Sequence, residues 1–254
     1  VSKANGVCFE ECTFTRLGIT AVKMIEGVQN SHFIGNHFYD ISGGAINIGD
    51  PLWMNNDVVN PTDIRKIMKN CDVMNNYIHD VAVDYLSAAA VSLSWGADMD
   101  FCHNEIFNIP YSGFHIGYGW NIDFDNVLKN LTISNNFVHD FMGEGVSDGG
   151  GIYTIGNSSG DGYNVISGNY IKNVLDNSGP LYCDNGSTYY ELFNNLVDLS
   201  DVKEWAGGDV PLSWMQLNSG ADHIIVRDNH TTIDNYNNNT GSDSVIVSNT
   251  IIEN

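Results

Sequence analysis

The sequence predicts an all-β fold, a right-handed parallel β-helix (solenoid) of roughly eight coils, and three observations carry that expectation. A short string recurs along the chain: Asn, any residue, an apolar residue, any residue, then Asp or Asn. Apolar residues alternate around each copy, and no stretch sustains the 3.6-residue period of a helix. Copies are separated by 20 to 40 residues. Such irregular spacing suits a solenoid whose strands keep register while its loops vary, and fits helical repeats or propellers poorly.

The copies are NHFYD from Asn36, NYIHD from Asn76, NEIFN from Asn104, NFVHD from Asn136 and NYIKN from Asn169, with weaker versions at Asn195, Asn229 and Asn249. Parallel stacking puts equivalent residues of successive coils about 4.8 Å apart, so these asparagines are expected to form a hydrogen-bonded ladder at a turn. A second strand follows each anchor after a Gly- or Ser-rich bend: GGAINIG from Gly43, AAAVSLSWG from Ala88, SGFHIGYGW from Ser112, GGGIYTIG from Gly149, GPLYCDNGS from Gly179 and VPLSWMQLN from Val210. The exception to strand is PTDIRKIMKN, Pro61 to Asn70, whose proline and acidic start predict a short helical excursion. One elongated domain, residues 1–254, accommodates the whole pattern. The repeat runs to both ends of the sequence, so covering caps are expected outside it.

Ten Lys and Arg against 31 Asp and Glu give a net charge of -21. That charge opposes binding to nucleic acid and to anionic membranes. Charged residues are nevertheless only 16% of the chain and glycines number 26, which marks a turn-rich folded protein rather than an acidic disordered tail. No apolar run approaches a membrane span, and the first residues lack the features of a signal peptide. The five cysteines (Cys8, Cys12, Cys71, Cys102, Cys183) show neither zinc spacing nor a disulfide framework, and read as small apolar core residues. No metal-ligand spacing or cofactor motif is present, so neither a metal nor a cofactor is expected. The acids Asp98, Asp100, Asp123 and Asp125 read as solvated loop charges rather than a calcium cluster, and His79 and His139 as surface turn residues.

A β-helix has a packed interior, so chemistry must sit on outward side chains and flanking loops. In the second-strand register Ile46, Ile48, Val91, Leu93, Phe114, Ile116, Leu181 and Cys183 are expected inside. Alternation then turns Asn47, Ser92, Ser94, His115, Tyr153, Tyr182 and Asp184 outward. Trp95, Trp120 and Trp214 lie at strand ends, and aromatics beside hydroxyls and carboxylates suit a sugar, whose apolar face stacks while its rim hydrogen-bonds. His115, Tyr153, Tyr182 and those tryptophans are therefore the candidate substrate-binding residues. Asp148 in SDGGGIYTIG and Asp184 in PLYCDNGSTYY fall on successive coils, each beside glycines and a tyrosine. Glycosidic cleavage commonly uses two such carboxyls, one as acid and one as nucleophile or base.

The run from NEIFNIPYSGFHIGYGW through DGGGIYTIG to ISGNYIKNV and LYCDNGSTYY resembles the right-handed β-helix glycoside hydrolases, especially family 141. The resemblance covers most of the chain and implies hydrolysis of plant polysaccharide backbones or side chains by two aspartates, which would be Asp148 and Asp184. A more distant likeness to family 120, which pairs an aspartate with a glutamate, keeps Glu144 as an alternative acid. The chain is short for family 141, whose members usually add coils and a β-sandwich. A polysaccharide substrate would imply secretion or a periplasmic location. Two other functions fit the same fold. A polysaccharide lyase or epimerase would use Tyr153 and His115 as acid and base, since Lys23, Lys129, Lys172 and Arg227 all fall outside the second-strand segments. A non-catalytic adhesin or tailspike-like solenoid would bind glycans without a carboxylate pair.

Overall fold

The computed structural model describes the chain apart from residues 53, 121–123, 144, 176–178, 203–211, 241–242 and 253–254. Three parallel sheets of nine, nine and eight strands wind into one solenoid. Each coil contributes a strand to each sheet, as Lys129–Ser134, Phe137–Phe141 and Ile152–Thr154 do in the middle of the molecule. Every pairing joins a strand to its equivalent one coil on, so the fold is a parallel β-helix whose sheets run the length of the axis. The third sheet contains Ile46–Ile48, Val91–Leu93, Phe114–Ile116, Ile152–Thr154, Leu181–Cys183 and Met215–Leu217, all six second-strand segments anticipated from the sequence. The strand that precedes each anchor, such as Ala97–Cys102, was not separated from it by periodicity and forms the first sheet.

The corner between first and second sheets is two residues long throughout, the first left-handed and the second the repeated asparagine, except in the first coil, where Cys12 stands in its place. The left-handed residues are Glu11, Gly35, Asn75, His103, Asn135, Gly168, Asn194, Asp228 and Ser248, with φ between 50° and 67°. The following asparagines stack as the expected ladder and saturate one another. Asn136 Oδ1 accepts from the Asn104 backbone N–H and from Asn104 Nδ2, both at 2.9 Å. Its own Nδ2 donates to the Phe101 carbonyl and to Asn169 Oδ1, both at 2.9 Å. All four hydrogen-bonding positions of the amide are thus filled away from water, where an unfilled one would be costly. The motif's final Asp or Asn has a separate cause: Asp40, Asp80, Asn108, Asp140 and Asn173 are also left-handed, a conformation these residue types tolerate.

Inward side chains of the three sheets make one apolar core. Ile46, Ile48, Val91, Leu93, Phe114, Ile116, Leu181 and Cys183 are all inside it, as alternation requires. The cysteines divide: Cys71 and Cys183 are buried and Cys102 is half-buried, but Cys8 and Cys12 are exposed. Cys12 occupies the ladder position of the first coil, its N–H donating to Asn36 Oδ1 at 3.0 Å. His79 and His139 are not free turn residues either. They project from the second sheet into an aromatic column, His79 stacking on Phe107 at 4.9 Å and Phe107 on His139 at 4.8 Å.

The helical excursion expected near residues 61–70 is a single turn, and a second short helix precedes it. A four-residue α-helix spans Asn56–Val59, capped by Asn55, and a single 3₁₀ turn spans Ile64–Lys66, capped by Asp63. Pro61 disfavours helical geometry at Asn60, which ends the first, and Lys69 and Asn70 are already in the strand Lys69–Met74. Among the described residues no helix is long and apolar enough to cross a membrane.

Asn136→Ala takes from the Asn104 backbone N–H its side-chain acceptor, from Asn104 Nδ2 one of its two acceptors and from the Phe101 carbonyl a donor, and should lower stability by about 3 kcal/mol in urea unfolding. A loss below about 0.5 kcal/mol would show that the ladder does not stabilise the coils.

Candidate functional site

One outward row of the third sheet runs Lys23, Asn47, Ser92, His115, Tyr153, Tyr182, Gln216, Asn237, each residue paired in register with the next. Its members point away from the core, but loops cover its middle: Tyr153 and Tyr182 pack with Ile155 in a small cluster of their own. Lys23, placed outside this face by the sequence reading, belongs to the row and is ion-paired to Asp50 at 3.6 Å. Two residues beyond Tyr182, Asp184 leaves the strand with only 3% of its surface exposed. It is not an open groove residue.

Three donors converge on the Asp184 carboxyl. Tyr153 Oη donates to Oδ2 at 2.5 Å, and Tyr182 Oη and Asn218 Nδ2 donate to Oδ1 at 3.1 and 2.6 Å. The Asp184 backbone N–H is bound to the Thr154 carbonyl at 2.8 Å, so the residue is fixed from both ends. Burial first, and the neighbouring carboxylates second, push the Tyr153 and Tyr182 hydroxyls well above the ordinary tyrosine range. Both therefore remain proton donors.

Asp148 reaches the same place from the loop before the third sheet. It is exposed, holds a left-handed φ of 65°, and accepts from Tyr182 Oη through Oδ1 at 2.9 Å. One hydroxyl thus touches both aspartates, and the two oxygens it joins are separated by at most the sum of those contacts, about 6 Å. Carboxyl pairs of glycosidases span about 5 to 10 Å. The glycines after Asp148 permit this approach: a Cβ on Gly150 would lie 2.8 Å from the Gly179 carbonyl oxygen. Tyr111, absent from the sequence-based candidates, donates to the Asp148 carbonyl oxygen at 2.9 Å. Burial, reinforced by Asp148, raises its hydroxyl to about 12. Asn218 was missed as well. Both come from other coils, and only their strand-end positions beside the row could have suggested them.

His115 closes the site on the side of the earlier coils, its ring edge-on to Tyr153 at 4.9 Å. Burial lowers its imidazole to about 4, although the charge of Asp184 pulls the other way, so His115 is neutral near pH 7. Two candidate tryptophans are corrected. Trp95 and Trp214 are 1% and 2% exposed and belong to the core, because burying a large apolar indole is worth more than presenting it to solvent. Trp120 is 58% exposed, 6.1 Å from Tyr118. Glu144 and Asp123 lie outside the described residues, as do Trp53 and Trp205. Asp98 is ion-paired to Lys69 at 3.1 Å. Among the described residues the grouping of possible metal ligands is instead Asp222, His223 and Asp243, which involves none of the candidate residues.

No family model matches the chain, and no curated protein sequence does. Among solved structures, a glycoside hydrolase superposes with a TM-score of 0.66 at 23% identity, over 98% of this chain and 37% of that one. PfbA, a surface adhesin of Streptococcus pneumoniae, superposes with a TM-score of 0.61 at 16% identity, over 91% of this chain and 55% of the adhesin. The likeness is one of fold. The chain spans well under two thirds of either neighbour's length.

Unfolded His115 takes up a proton near pH 6.5 and the folded residue only near 4, so its contribution is complete above about 6.5 and stability falls as pH drops through that window. His115→Gln should shrink the fall in Tm between about pH 7 and about pH 4.5. Identical slopes in the two proteins would show that folding does not shift the His115 imidazole.

Proposed function

We propose that this chain is a carbohydrate-active solenoid that hydrolyses glycosidic bonds in a plant-type polysaccharide or its side chains, with Asp148 and Asp184 as the reacting pair. The observation that carries the reading is the single Tyr182 hydroxyl in contact with both carboxyls. It has one hydrogen to give, so both contacts are complete only when one aspartate supplies a proton of its own. That is the division of labour hydrolysis needs.

Asp184, held by three donors, is suited to remain the anion. Asp148, exposed and held through one oxygen, is suited to pass its proton to the leaving glycosidic oxygen as the bond to the anomeric carbon breaks. Asp184 then acts as base for the incoming water or as nucleophile. The DGGGIY and LYCDNGS strings, which resemble those of family 141 and more distantly family 120, support the choice of these two aspartates, and the glycoside hydrolase among the structural neighbours supports a carbohydrate-active role for the fold. A polymeric substrate of this kind places the protein outside the cytoplasm.

A second reading, glycan binding without cleavage, is favoured by the burial of Asp184 beneath Tyr153 and Tyr182 and by the adhesin neighbour. A lyase using Tyr153 and His115 as acid and base is the weakest, because the Tyr153 hydroxyl is already committed to Asp184.

Assays on plant cell-wall glycans and aryl glycosides should show release of reducing sugar, reduced about 10²-fold or more by Asp148→Asn and by Asp184→Asn with circular dichroism unchanged. Turnover indifferent to both changes would sink the paired-acid reading, and binding without turnover by the unmodified protein would establish the second.

A further inference from the structure

We propose that the cleft beside His115 is a second sugar subsite, built for a neutral, hydroxyl-rich ring next to the one held at the aspartates. The inference rests on the carbohydrate reading above but not on cleavage.

The cleft has a volume of about 180 Å³ and lies on the outer face of the third sheet, lined by Thr20, Asn47, Ser92, Ser94, His115 and Tyr118 among others. Its floor is the same row that leads to Tyr153 and Tyr182. His115 is the register partner of Tyr153, so the cleft begins one coil, about 4.8 Å, from the tyrosine that holds Asp184. A saccharide laid along the solenoid axis would pass from one to the other.

Two features of the lining point to a ligand rather than to idle surface. Asn47 Oδ1 and His115 Nε2 are buried without any hydrogen-bond partner, and both residues line the cleft. Leaving a buried polar atom unpaired costs about 1–3 kcal/mol, a cost that a hydroxyl reaching these atoms would relieve. The second feature is charge. None of the lining residues is an acid, a lysine or an arginine, and His115 is neutral near pH 7. A uronate would meet no cation there, would face the Asn47 carbonyl oxygen, and would lie near Asp148 and Asp184 in a chain of net charge -21. A neutral sugar offers donors and acceptors without that repulsion. Tyr118 at the edge, with exposed Trp120 6.1 Å from it, supplies aromatic surface for the ring's apolar face.

The test is binding of the intact chain and of Asn47→Ala and Ser92→Phe to an array of neutral plant cell-wall oligosaccharides and to oligogalacturonates, with calorimetry on the best ligand. We expect a neutral oligosaccharide to bind at least tenfold more tightly than any oligogalacturonate, with a loss of about tenfold in each variant. In hydrolysis the variants' loss in kcat/KM should be at least tenfold larger on the oligosaccharide than on an aryl monoglycoside. Absence of any neutral ligand, tighter binding of oligogalacturonates, or affinity unchanged in both variants would overturn the subsite. Binding that is sensitive to Asn47 and Ser92 in a protein without turnover would defeat the hydrolytic reading and leave the subsite standing.

Discussion

The asparagine ladder is the constraint on which the rest of the molecule depends. Where it runs, the corner between first and second sheets is always two residues long, whether between Met74 and Tyr77 or between Arg227 and His230. The left-handed residue in that corner costs about 1–2 kcal/mol in each coil when it is not glycine, and the saturated amide two atoms from the backbone offsets it. The other two corners have no fixed length. From second to third sheet the chain takes anything from the short step between Ile109 and Phe114 to the long one between Asp198 and Met215. Both variable corners flank the third sheet, so its outer face is the one that loops can wall. The Asp148 loop and the turn carrying Asp184 are two such segments, and the candidate site lies where the solenoid permits variation.

How far the fold could be read from the sequence follows from that same asymmetry. The ladder asparagines and six third-sheet strands were legible because they repeat in identity and parity. The first-sheet strands were not distinguished because only two residues separate them from the anchors, and no bend signal intervenes. Cys12 hid a ninth rung by occupying an asparagine position. Trp95 was legible in principle: it continues the inward parity of Val91 and Leu93, and the sugar-stacking argument overrode a simpler alternation rule. The helical excursion is shorter than the segment suggested because Pro61 acts on the residue before it, closing the helix Asn56–Val59 and leaving only the turn Ile64–Lys66 within residues 61–70.

The site was legible in its aspartates and tyrosines and illegible in its connections. Sequence placed Asp148 and Asp184 on neighbouring coils, but which side chains join them depends on loop geometry that no spacing encodes. Tyr111 and Asn218 arrive from two different coils. The burial of Asp184 is the largest departure, since alternation correctly turned this part of the sheet outward yet could not show that Tyr153 and Tyr182 would cover it. A carboxyl removed from water is tolerable there because the covering groups are themselves its donors.

Charge gives these pieces a common logic. The chain is strongly acidic, yet the outward row of the third sheet consists of Asn47, Ser92, His115, Tyr153, Tyr182, Gln216 and Asn237, with Lys23 at one end neutralised by Asp50. The acidity is carried elsewhere, for example by Asp72 and Asp100 on the first sheet and by Asp40, Asp80 and Asp140 on the second. Apart from Asp50, which is paired to Lys23, the acids that loops and turns bring to the middle of this row are Asp148 and Asp184. A row without carboxylates keeps other acids away from that pair. It also leaves hydroxyl, amide and aromatic groups as the chemistry the row presents, which is what the proposed binding of an uncharged glycan draws on.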